Sequence, residues 1–192
     1  MLAPTAVSLL FDESDWAAFL ISAAVTAAAG IAGTLLSVPR TNGRIGNREG
    51  MAITTLGWTA CALFGALPFL LAGSLGTPAD AVFETMSGLT TTGATVLLDV
   101  EAQSHAILFW RSFLHWLGGM GIVVLSIALL PGLQVGGSQL FRAEVPGPLP
   151  DRLEPRIRET ARRLWGIYIL LTVGEAILLR LFGMPLFDAV IH

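Results

Sequence analysis

Charged residues are scarce in this chain. They make up 13% of its 192 residues, whereas soluble domains contain about 25%. Hydrophobic residues make up 54% of the chain, and the mean hydropathy is +0.71. This small number of charged residues is not enough to keep the surface of a compact soluble protein hydrated. The composition therefore predicts an integral membrane protein surrounded by lipid. The net charge of −3 excludes the basic surface typical of nucleic-acid binding, and we expect no nucleic-acid partner.

Cysteine and the familiar catalytic motifs are also nearly absent. The single cysteine, Cys61, excludes an intrachain disulfide and a metal site built from cysteines. The N-terminal segment lacks a basic stretch and contains Asp12, Glu13 and Asp15, which argues against a secretory signal. The sequence contains no P-loop, no His-Glu-x-x-His and no Gly-x-Ser-x-Gly pattern. We therefore predict a protein that is not an enzyme, has no catalytic residue and has no covalently bound cofactor.

Long hydrophobic runs are present instead. They cover residues 16–38, 51–74, 107–130 and 164–182. A helix that crosses a bilayer needs about 20 residues, and each run is close to that length. None alternates between polar and apolar residues, and a spanning segment must satisfy its own backbone, so each run predicts a helix. The expected fold class is an all-α integral membrane protein.

The arginines predict the orientation of these helices. The first loop contains Arg40, Arg44 and Arg48. The segment between the third and fourth helices contains Arg142, Arg152, Arg156, Arg158, Arg162 and Arg163. The region between the second and third helices contains Asp80, Glu84, Asp99 and Glu101. Because cytoplasmic loops are rich in arginine, we expect both arginine-rich segments in the cytoplasm, and the acidic region and the N-terminus outside.

The region from residue 75 to residue 105 predicts a pore helix. Pro78 suits a first helical turn, and Asp80 and Glu84 are favourable near a helix N-terminus. The helix predicted over residues 79–88 is too short to span a bilayer, so it is expected to be re-entrant. We expect Gly88 to end it. Residues 89–96 would return as irregular backbone, which is tolerated at membrane depth when it lines a watery cavity or lies within protein.

The threonine-rich segment at residues 90–94 predicts part of an ion filter. A potassium ion sheds its water only where rings of backbone carbonyls replace it. Threonines favour extended backbone, and Gly93 can adopt dihedrals that turn a carbonyl toward the ion. The C-terminal end of the half-helix would favour a cation beneath the filter. On these residues alone, an ordinary outer loop with threonine capping is the alternative.

A faint internal repeat extends this pattern. Residues 80–82 (DAV) recur as residues 188–190, after Gly76 and Pro78 in the first case and after Gly183 and Pro185 in the second. Each copy follows a long apolar helix, so a second unit is expected from near Arg158, stopping before its own filter. The predicted division is 1–48 for an N-terminal helix and arginine loop, 49–131 for the first pore repeat, 132–159 for a cytoplasmic connector and 160–192 for an incomplete second repeat.

Residues 83–95 (FETMSGLTTTGAT) resemble the first pore loop of the Trk/Ktr potassium transporters, specifically the TrkH-type membrane subunit. Residues 105–111 (HAILFWR), 116–122 (WLGGMGI) and 141–148 (FRAEVPGP) match the same family. The similarity spans about residues 48–192. The resemblance implies four helix–pore-helix–helix repeats in one chain, each providing one filter strand of a passive K⁺ pathway.

The resemblance also implies the site and the partners. The filter backbone would be Thr91, Thr92, Gly93 and Ala94, with K⁺ there as the only metal. The supporting residues would be Glu84, Ser87, Gly88, Thr90 and Arg111. The expected partners are membrane lipid, the remaining pore repeats or a second copy of the membrane subunit, and a cytoplasmic TrkA-type nucleotide-binding ring. The expected location is the bacterial cytoplasmic (inner) membrane.

The chain departs from the family pattern in two ways. Only one repeat is complete, and only residues 16–38 are long enough to span the bilayer where the family has an N-terminal helix pair. One filter strand does not surround an ion, so we expect no transport by this chain alone. A truncated frame, a fragment and a split subunit stay open. Three further hypotheses also stay open: a homotetrameric channel, a non-conducting assembly partner, and an intramembrane hydrolase or proton-linked enzyme using His115 and Glu175.

Several further residues have two interpretations each. Gly118, Gly119 and Gly121 favour close helix packing, with a hinge as the alternative. Arg111 either extends to the outer interface or pairs with Glu84. His115 is interpreted as a core or interfacial histidine, with a proton-linked site as the alternative. Glu175 lies inside a spanning helix, which makes it a functional hypothesis, with contact to an adjacent helix or structural pairing as the other interpretation. Arg180 lies five residues further on, so the two are not ideally placed on one helix face.

Overall fold

The computed structural model describes residues 1–37, 47–129 and 153–192. Its elements are α1 (Leu2–Leu10), α2 (Trp16–Leu36), α3 (Asn47–Gly65), α4 (Leu67–Leu71), α5 (Pro78–Leu89), α6 (His105–Leu129), α7 (Leu153–Leu181) and α8 (Leu186–Ile191). The described ranges contain helices and no strand. This confirms the all-α prediction. The predictions for Arg40, Arg44, Arg142 and Arg152, and for most of the connector, lie outside the described residues.

Four helical segments are long and apolar enough to cross a membrane, as the hydrophobic runs predicted. They are Trp16–Leu36, Arg48–Leu71, His105–Val123 and Glu159–Leu181. The second consists of α3 followed directly by the short α4, whose first turn contains Pro68. Proline is accepted there because the first turn leaves its backbone N–H groups unpaired within the helix. α7 begins at Leu153, so the predicted boundary at residues 159/160 falls inside a helix.

The chain divides into two compact units, Met1–Trp116 and Leu117–His192. The first unit has a buried apolar core that includes Phe19, Phe69, Ile107 and Leu114. Trp110 belongs to the same core, and its indole N–H donates to the carbonyl of Gly65 at 3.0 Å. The core therefore joins α2, α4 and α6, and the Trp110 bond ties α6 to the end of α3. The second unit contains α7 and α8.

A short helix, α1, precedes the first spanning helix and packs against it. Its 9 residues cover about 14 Å at 1.5 Å per residue, too little to span a bilayer. α1 ends in a turn where Asp12 has a φ of 54° and the N–H of Glu13 donates to the Ser8 carbonyl at 2.9 Å. The N-terminal region is thus a helix pair with one spanning member, whereas the hydrophobic runs predicted one helix.

That turn places Glu13 against the N-terminus of α6. One carboxylate oxygen of Glu13 accepts the backbone N–H of His105 at 2.8 Å, and the other accepts the N–H of Ala106 at 3.2 Å. The His105 ring lies 2.8 Å from the same carboxylate, and Ser104 hydrogen-bonds to Asp15. The first N–H groups of a helix have no partner within the helix, and a negative charge there is favourable. Glu13 therefore caps α6 from a position 92 residues earlier in the sequence.

We expect Glu13→Ala to lower the free energy of unfolding by about 1–2 kcal/mol, because it removes a charged cap from α6. Thermal unfolding in detergent, followed by far-UV circular dichroism, measures this loss. Glu49→Ala is the matched control, since Glu49 lies in the first turn of α3 with an exposed side chain. An equal loss in both variants would show that Glu13 has no special role.

The internal repeat extends to the helix ends. α4 and α7 both finish with a glycine of positive φ, Gly73 at 73° and Gly183 at 96°. In both turns the glycine N–H and the next N–H bond to carbonyls three and five residues back, the Schellman pattern. By this turn the counterpart of Gly183 is Gly73, whereas the sequence repeat aligns Gly183 with Gly76. Asp80 and Asp188 each occupy the third position of the following short helix.

Candidate functional site

The pore helix α5 forms where the sequence predicted it, one residue longer at each end. The side-chain oxygen of Thr77 accepts the Asp80 N–H at 3.1 Å, and its hydroxyl donates to the Asp80 carboxylate at 2.7 Å. Pro78 follows as the first helical residue. This combination stabilises the start of α5, because the cap satisfies an otherwise unpaired N–H and proline needs none.

Two glycines bring α5 close to its neighbours. A Cβ added at Gly65 of α3 would lie 2.6 Å from the Thr85 methyl carbon of α5. A Cβ added at Gly88 of α5 would lie 3.0 Å from the Cβ of Leu114 in α6. α5 continues to Leu89, so the expectation that Gly88 ends the helix was wrong. Gly88 instead allows α5 to lie close to α6, because it has no side chain at the contact.

The sign of the backbone φ angle alternates in the residues after α5. Thr90 has a φ of −86°, Thr91 has +56° and Gly93 has +76°. Thr92 and Ala94 do not have a positive φ. Extended backbone was expected for the threonines, and this was wrong at Thr90, where ψ is 0°, and at Thr91. A left-handed threonine is unfavourable by about 1–2 kcal/mol, so the contacts of the loop must hold it in place.

Those contacts come from the C-terminal end of α5. The N–H groups of Thr90 and Thr91 donate to the carbonyls of Met86 and Gly88, at 2.8 and 2.9 Å. The N–H of Thr92 donates to the carbonyl of Ser87 at 3.0 Å. The last carbonyls of a helix have no partner within the helix, so the loop and the helix end satisfy each other. The N–H groups at the start of the loop are therefore directed toward α5.

Most of the loop carbonyls, unlike the N–H groups of Thr90, Thr91 and Thr92, have no hydrogen-bond partner in the described structure. Those of Thr91, Thr92 and Gly93 accept no hydrogen bond from the residues that the structure describes, and all three residues are exposed. The carbonyl of Ala94 accepts the Ser87 hydroxyl at 2.6 Å. Three of the four predicted filter carbonyls are thus unengaged within the described chain, and the fourth is held by the pore helix.

A buried carboxylate supports the far end of the loop. The side chain of Glu84 is 0% exposed and lies 2.6 Å from the Nε of Arg111, which is 20% exposed. Glu84 also accepts the Thr95 hydroxyl at 2.9 Å and the Val96 N–H at 3.0 Å. Of the two interpretations of Arg111, pairing with Glu84 is confirmed. All the partners of this carboxylate are donors, as a buried charge requires.

The remaining candidates are His115 and three glycines of α6, and Glu175 and Arg180 of α7. The Nδ1 atom of His115 lies 3.0 Å from the Arg111 carbonyl one turn earlier in α6, consistent with a helix-packing histidine. Glu175 is exposed on α7, and the guanidinium of Arg180 donates to the Met184 carbonyl at 3.2 Å. Gly118, Gly119 and Gly121 are helical residues of α6, and Gly118 is buried. Within the described ranges, no three His, Cys, Asp or Glu side chains are grouped to hold a metal ion.

Two contributors were not predicted from the sequence, Thr95 and Gly65. Thr95 contacts Glu84 eleven residues away, and Gly65 meets α5 through the fold. Neither spacing follows a helical or strand period, so no local pattern indicates them. The hydroxyl of Thr95 directly beyond the predicted filter was the one available signal.

Comparisons with known proteins show which family the chain resembles. The family model of TrkH, described as a cation transport protein, matches residues 18–192. The potassium uptake protein TrkH of Salmonella typhimurium is 49% identical over 196 residues, covering 100% of this chain and 40% of the relative. TrkG of Escherichia coli K12 is 39% identical with the same coverage. The crystal structure of the potassium transporter TrkH from Vibrio parahaemolyticus matches with a TM-score of 0.83 and 39% identity, covering 100% of this chain and 38% of that one.

These matches reach further than the motifs suggested. They include the N-terminal helix pair, whereas the sequence motifs placed the similarity at residues 48–192. The chain spans 40% of the length of the curated relatives, and their names describe transport rather than an enzymatic reaction. The structural match also confirms the all-α membrane fold class, and the predicted helix–pore-helix–helix repeat is consistent with it. The chain therefore belongs to the TrkH family of cation transport proteins.

Proposed function

We propose that this chain provides one filter strand of a Trk-type potassium uptake protein. The proposal rests chiefly on one observation. The carbonyls of Thr91, Thr92 and Gly93 are exposed and accept no hydrogen bond within the described residues, while the N–H groups of Thr90, Thr91 and Thr92 bind the end of α5. A strand whose first N–H groups are bound to α5 and whose next carbonyl oxygens are free is suited to replace the water around K⁺.

The alternating sign of φ supports this role. Right- and left-handed residues in alternation direct successive N–H groups to one side, so the carbonyls turn to the other. Thr91 and Gly93 are the left-handed members. The C-terminal end of α5 brings a partial negative charge to the same place, which favours a cation and disfavours an anion.

The supporting residues have distinct parts in the proposal. Ser87 holds the Ala94 carbonyl, so Ala94 forms the fixed end of the strand while Thr91, Thr92 and Gly93 face the ion. Thr90 joins the strand to α5, and its hydroxyl lies 2.8 Å from that of Thr92. Gly88 lets α5 approach α6, and Glu84 and Arg111 support the returning chain. Gly118, Gly119 and Gly121 would serve in packing or as a hinge of α6.

A single strand covers one side of an ion, so the proposed pathway needs three more. We propose that the remaining repeats of a Trk-type protein, or further membrane subunits, supply them. The division into 1–48, 49–131, 132–159 and 160–192 belongs to this proposal, with α7 beginning before the last boundary. So do the bacterial inner membrane, an external N-terminus, lipid contacts, pairing of membrane subunits and a TrkA-type nucleotide-binding partner in the cytoplasm.

A chimera tests the proposal. The matched N-terminal part of Salmonella typhimurium TrkH is replaced by residues 1–192 of this chain and expressed in a bacterium that lacks K⁺ uptake systems. We expect growth on low K⁺. Gly93→Ala should then reduce K⁺ uptake by about 5- to 30-fold, since a left-handed alanine is unfavourable by about 1–2 kcal/mol.

Gly76→Ala is the matched control, because Gly76 has no positive φ and an added Cβ would meet nothing within 4 Å. A chimera that reaches the membrane but takes up no K⁺ would contradict the proposed function. Equal uptake by the Gly93 and Gly76 variants would contradict the filter assignment. Rubidium flux through liposomes holding residues 1–192 alone would instead support a homotetramer.

A further inference from the structure

We propose that Thr95 is a positioning residue for the filter strand, acting through Glu84. This inference rests on the proposed function and extends it, because Thr95 lies beyond the four predicted filter residues. It assigns to Thr95 the task of fixing where the strand ends relative to α5, and hence the spacing of the free carbonyls.

The contacts of Thr95 are unusual for an exposed loop residue. Its hydroxyl lies 2.9 and 3.0 Å from the two carboxylate oxygens of Glu84. The same hydroxyl oxygen accepts the N–H of Leu97 at 3.1 Å. The next N–H, that of Val96, binds Glu84 at 3.0 Å. Three successive residues are thus held, directly or through one hydroxyl, by a single buried carboxylate.

The carboxylate is itself held in place. Arg111 of α6 binds it at 2.6 Å, and Glu84 lies on α5 three residues before Ser87. Residues three apart on a helix share a face, so Glu84 and Ser87 present two fixed attachment points to the returning chain. Ser87 binds the Ala94 carbonyl, and Glu84 binds Thr95. Consecutive loop residues are therefore attached to neighbouring positions on one helix face.

The strand is consequently fixed at both ends. Its first N–H groups bind the last carbonyls of α5, and its last residues bind Ser87 and Glu84. The carbonyls of Thr91, Thr92 and Gly93, which have no partner in the described structure, lie between these attachments. If the Thr95 attachment is lost, the C-terminal end of this stretch is held only by the Ser87–Ala94 and Glu84–Val96 bonds. The carbonyl positions then become more adaptable to ions of other sizes. We therefore expect Thr95 to affect discrimination between K⁺ and Na⁺ more than the amount of folded protein.

The test uses the chimera with Thr95→Val and Thr95→Ser. Valine keeps the shape of threonine and loses the hydroxyl, whereas serine keeps the hydroxyl. We expect Thr95→Val to reduce the preference for K⁺ over Na⁺ by about tenfold, the factor that follows from losing a hydrogen bond to a charged group. Thr95→Ser should retain the preference. Thr59→Val is the control, because the Thr59 hydroxyl donates only within α3 and is exposed.

Two measurements separate positioning from folding. Uptake kinetics give KM and maximal rate for K⁺ with and without competing Na⁺, and immunoblots give membrane abundance. If Thr95→Val transports too little, protection of the purified protein against heat by K⁺ compared with Na⁺ gives the same preference, because a ligand stabilises the state that binds it.

The outcomes are distinct. A lowered preference in Thr95→Val with retention in Thr95→Ser supports the inference. An unchanged preference in Thr95→Val overturns it, whether or not the maximal rate or abundance falls, and leaves the proposed function standing. Failure of the unsubstituted chimera to take up K⁺ is a failure of the proposed function itself.

Discussion

Replacing Glu84 with glutamine is expected to lower the free energy of unfolding by about 3–5 kcal/mol, the largest effect we anticipate for a single substitution in this chain. The side chain of Glu84 is 0% exposed, and Arg111 beside it is 20% exposed. Glutamine retains one carbonyl oxygen but replaces the other with an NH₂ group. That group is a hydrogen-bond donor, and it would face the donors that now bind Glu84. The guanidinium of Arg111 would lose its counter-charge in a site with little access to water.

A double-mutant cycle tests the pairing. Arg111→Met alone should be comparably destabilising, because it leaves a buried carboxylate without its cation. The double variant Glu84→Gln with Arg111→Met should be less destabilised than the sum of the two single variants. Thermal unfolding in detergent measures all three. Strict additivity would contradict a direct interaction between the two side chains.

The chain contains a matched control for this experiment. Glu159 and Arg163 of α7 form an ion pair of 2.5 Å, but their side chains are 63% and 75% exposed. An exposed pair on a helix contributes about 0.3–0.5 kcal/mol. Glu159→Gln should therefore have little effect, although the residue types and the separation are alike. The contrast isolates burial as the cause of the Glu84 effect.

Local patterns predicted the elements of this fold well. The run at residues 16–38 became α2 (Trp16–Leu36), and the proline and acidic residues after residue 75 indicated α5. These features depend on neighbours within a few residues. α1 was missed because its 9 residues are too few to be recognised as a spanning segment. It gains its stability from packing against α2 and from the turn that contains Asp12.

The sequence predicted the filter segment and the Glu84–Arg111 pair, but it did not predict the other contacts that hold the segment in place. Glu84 and Arg111 were recognised as possible partners because a charge near a pore helix needs a counter-charge. The left-handed φ of Thr91 was not predicted, because threonine favours extended backbone. Only the contacts of the loop with the Gly88 and Ser87 carbonyls overcome that preference. Thr95 depends on a carboxylate eleven residues away. Such contacts arise from tertiary packing, for which a single sequence contains no periodic signal.

Gly65→Ala is expected to destabilise the first unit by about 1–3 kcal/mol through overpacking. The added Cβ would lie 2.6 Å from the methyl carbon of Thr85, too close for any carbon pair. Thr85 is not free to yield, because it is buried and its hydroxyl donates to the Ala81 carbonyl at 2.8 Å. The strain would also act on the hydrogen bond from Trp110 to the Gly65 carbonyl. Thermal unfolding in detergent again provides the measurement.

Gly57→Ala is the control on the same helix. An added Cβ at Gly57 meets nothing within 4 Å, and alanine favours helix over glycine by about 1 kcal/mol. We therefore expect Gly57→Ala to be neutral or slightly stabilising. If both glycine variants behaved alike, the close approach of α3 and α5 at Gly65 would be contradicted.

Removing the clashing methyl group should rescue the substitution. Thr85→Ser keeps the hydroxyl and deletes the methyl, so alone it should be unfavourable by about 1 kcal/mol for the lost buried group. In the double variant the methyl introduced by Gly65→Ala occupies the space that the Thr85 methyl leaves, and the volume between α3 and α5 is nearly restored. The double variant should then be more stable than Gly65→Ala alone, with a coupling energy of about 1–3 kcal/mol. Because α5 supports the proposed filter strand at its C-terminal end, the same double variant should also recover K⁺ uptake in the chimera.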